Sequence, residues 1–264
     1  MPKKIDQILF LNINGGLSET SKCYKKTTSW VQHKINTCIP KPDVIAFCET
    51  KLKSSSKSPE FHNYKCHRLD RDMFENKRAH GGILIYTHQK FNHVRPFLET
   101  CTESVEALGL EISERRESIR LNGKECRKVV CVYRRPGTDK EDFYTWLRNL
   151  NVGGDLIIFG DVNIDLDDRT KVKNEMTKEV FKINSMLKSL DLDQKVEDKT
   201  RVVNQSGTKI DWVLTAKCLK NYRVYVTDES SNISDHRFLR IINKYVDVQL
   251  ENESDMGLEK LFET

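Results

Sequence analysis

Apolar runs of four to eight residues recur along this chain and constrain its fold more than any other feature. They are Ile8 to Ile13, Val44 to Cys48, Gly82 to Tyr86, Val105 to Ile112, Val129 to Tyr133, Leu156 to Phe159, Ile210 to Leu214, Tyr222 to Val226 and Phe238 to Ile242. Rich in Ile, Val, Phe and Tyr and bounded by Gly, Pro, Asn or Asp, they read as β-strands. Several are apolar on both faces, which requires cover on both sides. Three stretches of helical period lie between them. Val31, Ile35 and Cys38 mark a helix that stops before Pro40, and Phe143, Trp146, Leu147 and Leu150 follow Asp139 as an N-cap. Met176, Val180, Ile183, Leu187 and Leu190 form a third stripe. Many strands with few helices predict two packed sheets flanked by helices.

At 264 residues the chain suits one domain, over residues 1–245, followed by an acidic tail or linker over 246–264. The tail carries Asp247, Glu251, Glu253, Asp255, Glu259 and Glu263 against Lys260 alone, so the overall charge of +5 conceals a body near +10. A basic body suits a polyanionic substrate. No apolar run approaches the roughly 18 residues that span a bilayer, and no apolar stretch follows Lys3 and Lys4. The expectation is therefore no membrane and an intracellular protein, with nucleus and cytoplasm both open. The eight cysteines form no C-x-x-C pair and several sit inside apolar runs, so reduced, buried thiols are expected. Lys51 to Ser58 reads as a basic surface loop.

Polar residues gather at the ends of the apolar runs. Asn12 and Asn14, two apart after the first run, are expected on one side, where their amides can meet a phosphate or a metal. Glu49 ends the second run, and a hard ion such as Mg2+ needs only one or two carboxylates beside water and phosphate. Asp161, Asn163 and Asp165 alternate with apolar residues and are expected on one face, a carboxylate to orient water and an amide to hold a phosphoryl oxygen. Asp211 is placed to fix the tautomer of His236, Asp235 to meet the metal or its waters, and Tyr133 to put its hydroxyl on the phosphate. Taken singly, each has an ordinary structural explanation: a turn, a strand-end acid, a capped loop. Six such groups at strand ends point instead to a metal-dependent phosphodiesterase.

With these motifs in order, from Leu11-Asn12-Ile13-Asn14-Gly15 through Cys48-Glu49-Thr50, His80-Gly81-Gly82-Ile83, Tyr133-Arg134-Arg135-Pro136 and Gly160-Asp161-Val162-Asn163 to Ile210-Asp211 and Ser234-Asp235-His236, the chain resembles the endonuclease/exonuclease/phosphatase superfamily. It is most similar to the endonuclease domains of non-LTR retrotransposons. The resemblance implies a four-layer α/β/β/α sandwich of the deoxyribonuclease I type with two mixed sheets. It implies a Mg2+- or Mn2+-dependent endonuclease that nicks DNA, expected to be double-stranded, and leaves a 3′-hydroxyl. Asn12, Glu49 and Asp235 would form the metal site, Tyr133 and Asn163 would contact phosphate, Asp161 would position water, and Asp211 would pair with His236. Thr200 resembles a threonine near a DNA-facing hairpin, and Arg201 would lie with it among substrate contacts.

Two departures matter. Arg134 and Arg135 stand where the family commonly has a small residue, which suggests an extra phosphate contact, and Thr200 to Asp211 leaves room only for a small hairpin. No Tyr-x-Asp-Asp motif of a polymerase follows, so the fold is either a stand-alone nuclease or part of a polyprotein that includes a reverse transcriptase. Abasic-site repair, RNA cleavage or deadenylation, and lipid or inositol phosphodiester hydrolysis are rival chemistries on the same scaffold. A catalytically silent nucleic-acid-binding module is the rival of another class, and the complete residue set speaks against it.

Overall fold

A computed structural model describes residues 5–71, 81–113, 126–150, 155–167, 177–203 and 206–246. Its strands are β1 (Gln7–Asn12), β2 (Val44–Cys48), β3 (Tyr64–Leu69), β4 (Ile83–His88), β5 (His93–Cys101), β6 (Val105–Ser113), β7 (Arg127–Arg134), β8 (Leu156–Asp161), β9 (Leu192–Gln194), β10 (Arg201–Val203), β11 (Ser206–Thr208), β12 (Asp211–Ala216), β13 (Tyr222–Thr227) and β14 (Phe238–Asn243). Its helices are α1 (Tyr24–Thr37), α2 (Lys140–Asn149) and α3 (Lys178–Ser189).

The strands form two six-stranded sheets, ordered β13-β14-β1-β2-β4-β3 and β5-β6-β7-β8-β12-β9, with β10 and β11 as a separate hairpin. Each large sheet has one parallel pair, β1 with β2 and β7 with β8, among antiparallel neighbours. The parallel pairs matter for chemistry, because each brings two carboxyl-terminal strand ends side by side. Between the sheets lies an apolar layer in which Phe10, Ala46 and Ile85 face Leu110, Cys131 and Phe159. The Phe10 and Phe159 rings meet at 5.8 Å, and each such buried side chain is worth about 1.5–3 kcal/mol. Outside, Val31 and Ile35 of α1 cover Leu9, Phe47 and Tyr86. Phe143 and Leu147 of α2, with Ile183 and Leu187 of α3, cover Val130, Ile158 and Trp212. The result is the expected α/β/β/α sandwich.

Local signals act as read. The Asp139 side chain accepts from the Glu141 N–H at 3.0 Å and starts α2. At α3 the cap is Thr177, which the apolar stripe did not mark and whose hydroxyl accepts from the Val180 N–H at 3.4 Å. Met176, from the expected third stripe, lies outside the described residues, as does the acidic tail beyond Val246.

Three strands of the large sheets have no counterpart among the apolar runs: β3, β5 and β9. All are sheet edges. An edge strand is half exposed and carries polar residues and even proline, here Pro96 beside a register shift in β5. Of the eight cysteines, Cys38, Cys48, Cys126 and Cys131 are buried, while Cys23, Cys101 and Cys218 are exposed, so the expectation of buried thiols holds for half the set. No described helix is long and apolar enough to cross a membrane.

Candidate active site

The carboxyl ends of β1, β2, β7 and β8 and the start of β12 converge on one edge of the sandwich. Register fixes the neighbours: Asn12 pairs with Cys48, directly before Glu49. Asp161 lies between Tyr133 on one side and Asp211 on the other. Gly160 makes this approach possible, since a Cβ there would fall onto the Val132 carbonyl.

One buried amide joins the two sheets. Asn12 Nδ2 donates to Glu49 Oε1 and to Asp161 Oδ2, both at 2.8 Å. A second anchor comes from the segment before β14, where the Ser234 hydroxyl donates to the Asn12 carbonyl at 2.5 Å and accepts from the His236 N–H at 3.1 Å. His236 is thus carried to the cluster. Its Nδ1 is 2.9 Å from Asp211 Oδ2, and its Nε2 is 3.8 Å from Asp161 Oδ2. Ligand atoms of Asp161, Asp211 and His236 lie within 4.8 Å of one another.

The electrostatics follow from burial and crowding. Burial and the neighbouring Asp211 push the Asp161 carboxyl up, against the pull of His236 and the Asn12 amide. Burial alone would lower His236, but the charge and hydrogen bond of Asp211, with Asp161 and Asp235 behind them, raise it to about 9. Pairing with Asp211 thus favours the imidazolium. The Tyr133 hydroxyl is pushed well up by burial and by Glu49 and Asp161, and it stays protonated as a donor.

Several expectations are corrected. Asn14 does not share a side with Asn12: β1 ends at Asn12, Asn14 turns into the left-handed region at φ 46°, and its exposed amide oxygen accepts from the Lys51 ammonium. Asp161, Asn163 and Asp165 do not line one face, because β8 ends at Asp161 and Asn163 has φ 52°. Asp165 instead accepts from the Asp167 and Lys209 N–H groups. Asn163 stays at the site, its N–H donating to Asp161 Oδ1 at 3.0 Å and its amide to the Arg134 carbonyl at 2.8 Å.

Arg134 is not a phosphate contact. Its side chain is 3% exposed and donates to the carbonyls of Val162, Asn163 and Thr138, so it braces the Asn163 turn. Arg135 is exposed and remains available to a substrate. Thr200 faces inward, fully buried, where its hydroxyl accepts from the N–H groups of Ile210 and Asp211 at 3.2 and 3.0 Å. Asp235 is turned to the rim. Its Oδ2 receives Arg201 Nε at 2.7 Å; burial works to raise its carboxyl, and the Arg201 hydrogen bond overrides this to hold it below the usual range.

Two residues at this edge carry no role in the sequence reading. Lys51 sits 3.5 Å from Glu49 Oε2, and nothing in a lysine after Thr50 announces that contact. Glu106 lies opposite Tyr133 on β6 and is 1% exposed. Its signal was present, a carboxylate inside the apolar run from Val105 to Ile112.

Hard oxygen donors dominate the cluster: Glu49, Asp161 and Asp211 surround one amide and one imidazolium. The buried Asp211 Oδ1 has no hydrogen-bond partner among the described residues. Excess buried negative charge with an unused oxygen fits a hard divalent ion.

The chain is thus a sandwich of two mixed sheets with an acidic, His-bearing edge. Residues 9–236 match the endonuclease/exonuclease/phosphatase family, and the chain belongs to that family, whose members are in general nucleases and phosphatases. Among solved structures it is similar to the endonuclease domain of TRAS1, a telomere-specific non-LTR retrotransposon, at 15% identity and a TM-score of 0.61 over 92% of this chain and 99% of that one. It is also similar to the AP endonuclease LMAP of Leishmania major, at 15% identity and 0.62 over 90% and 87% of the two chains. The catalytic domain of Xenopus laevis APE2 matches at 17% identity and 0.59, over 90% and 91%. No match was found among curated protein sequences.

Proposed function

We propose that this protein is a divalent-metal-dependent endonuclease that nicks double-stranded DNA, water attacking phosphorus as the P–O3′ bond breaks and the departing O3′ takes a proton from solvent to leave a 3′-hydroxyl and a 5′-phosphate. The observation that carries this reading is the Asn12 bridge, which sets Glu49 and Asp161 on either side of one amide, with the Asp211–His236 pair against them. The basic body supports a polyanionic substrate. When bound at Glu49 and Asn12, Mg2+ or Mn2+ would neutralise charge on the phosphate and polarise a phosphoryl oxygen.

Each side chain then has a separate task. Asp161, whose burial and crowding make its carboxylate more basic, orients the attacking water and accepts its proton. His236, held as an imidazolium by Asp211, donates from Nε2 to a non-bridging oxygen and stabilises the charge that builds there. Tyr133 adds a neutral hydroxyl donor, and Asn163 offers its amide to the same phosphate. Arg135 and Arg201 lie on the rim, where they meet flanking phosphates as Arg201 exchanges Asp235 for substrate.

Relaxation of supercoiled plasmid with Mg2+ and with EDTA, for wild type beside His236→Ala, tests the reading. Metal-dependent nicking that falls by about 10^2-fold or more in the variant is expected. Equal nicking by the variant, or cleavage confined to abasic duplex or RNA, would replace it with another chemistry on this fold.

A further inference from the structure

The Gly81-Gly82 pair and the buried Glu106 take no part in the chemistry above, yet they meet beside it. Glu106 Oε2 accepts from the Gly82 N–H at 2.6 Å, and Oε1 accepts from Arg71 Nη1 at 3.1 Å. Gly81 and Gly82 sit at φ 74° and 88°. A Cβ at Gly81 would fall onto the Glu106 carboxylate, and one at Gly82 onto the Thr50 hydroxyl. Only glycine allows that approach.

The far side of the same turn holds the loop that carries Glu49. The Gly82 carbonyl accepts from the Thr50 N–H at 3.2 Å and the Gly81 carbonyl from the Lys51 N–H at 2.8 Å. Glu49 and Lys51 are both left-handed, at φ 51° and 53°, a conformation that persists in non-glycine residues only where the surroundings impose it. The Glu49 carbonyl is held from the other side by the Gly15 N–H at 2.6 Å. Glu106 is therefore the buried end of a run of hydrogen bonds that passes through the Gly81-Gly82 turn to the Thr50 and Lys51 N–H groups, directly after Glu49. Keeping a carboxylate at 1% exposure is costly, and burial pushes its carboxyl up despite Gly82 and Arg71. Packing alone gains nothing from it.

We propose that Glu106 is a positioning residue: through the Gly81-Gly82 turn it imposes the strained Glu49–Lys51 loop and so sets the affinity of the site for its divalent ion. This rests on the reading that Glu49 holds the ion. Orienting groups behind a ligand typically change metal affinity by about 10- to 100-fold.

The test is Mn2+ binding to the metal-free protein, followed by the electron paramagnetic resonance signal of free Mn2+, for wild type, Glu106→Gln and Glu49→Ala. Melting in EDTA is recorded for each. Glu106→Gln puts an amide against the Arg71 and Gly82 donors while keeping size. The Mn2+ Kd is expected to rise by about 10-fold or more in both variants. A lower melting temperature with an unchanged Kd in Glu106→Gln would make Glu106 merely structural and overturn the proposal. If that result came with weakened binding in Glu49→Ala, the metal reading would survive without it. Unchanged binding in Glu49→Ala would remove the metal reading and the proposal together. Should Glu106→Gln not fold, Glu106→Asp, one methylene short of Gly82, replaces it with the same criterion.

Discussion

Thr200→Val isolates one atom on which the Asp211–His236 pair depends. Valine reproduces the shape of threonine, so the fully buried site keeps its packing. What disappears is the acceptor for two backbone donors, the Ile210 and Asp211 N–H groups at 3.2 and 3.0 Å. Each buried donor left unsatisfied here costs about 1–2 kcal/mol, so the pair should lose about 2–4 kcal/mol. For a domain of this size, that lowers the melting temperature by about 5–15 °C. Relaxation of β12 to find other acceptors would move Asp211, and His236 with it. Nicking should then fall by about 10-fold or more at temperatures where the variant is folded. Thr200→Ser keeps the hydroxyl and loses one methyl group, costing about 1 kcal/mol with little loss of activity. Thermal unfolding by circular dichroism in EDTA, with plasmid nicking well below the transition, reads both effects. A valine variant within about 0.5 kcal/mol of wild type, or a serine variant worse than valine, would refute the role assigned to the hydroxyl.

Other residues give shorter tests. Asp211→Asn removes the main influence raising His236, so in EDTA its imidazole, followed by NMR, should titrate well below the about 9 of the wild type; a value still near 9 would show that Asp161 and Asp235 hold the charge without Asp211. Burial lowers His67 to about 4, with Lys65 adding to the effect, so its neutral form is the one that the fold favours. The stability it contributes is present above pH of about 6.5 and is lost as pH falls towards 4. Urea unfolding of His67→Gln should therefore show a shallower loss between those limits than wild type, and parallel curves would contradict the assignment. Arg134→Met should destabilise the fold by about 2 kcal/mol or more through its three carbonyl partners, while leaving the salt dependence of DNA binding intact. Arg135→Ala should do the reverse and reduce the slope of log K against log salt by about 0.9.

Much of the molecule was legible before any coordinates. Central strands announce themselves because both faces are buried, as in Leu156 to Phe159, and the start of α2 does so because Asp139 acts within two residues of itself. The candidate site was legible for a related reason: a polar residue at the end of a buried strand is costly unless it is used, and Asn12, Glu49, Asp161 and Asp211 all stand there. Their meeting was not legible. Asn12 and Asp161 are 149 residues apart, and only the packing of two sheets and the register of two parallel pairs bring them to 2.8 Å. Side-chain direction past a strand end was beyond the pattern too, because alternation ceases where φ turns positive, at Asn14 and Asn163. Arginines and threonines misled most. Charge and hydroxyl advertise a surface role, yet Arg134 spends its guanidinium on carbonyls and Thr200 its hydroxyl on backbone N–H groups, because buried loops must satisfy their polar atoms from whatever side chains lie near. Local residue type thus determined which elements form and which groups have chemistry to offer, whereas long-range packing decided which of those groups face one another and which serve the scaffold.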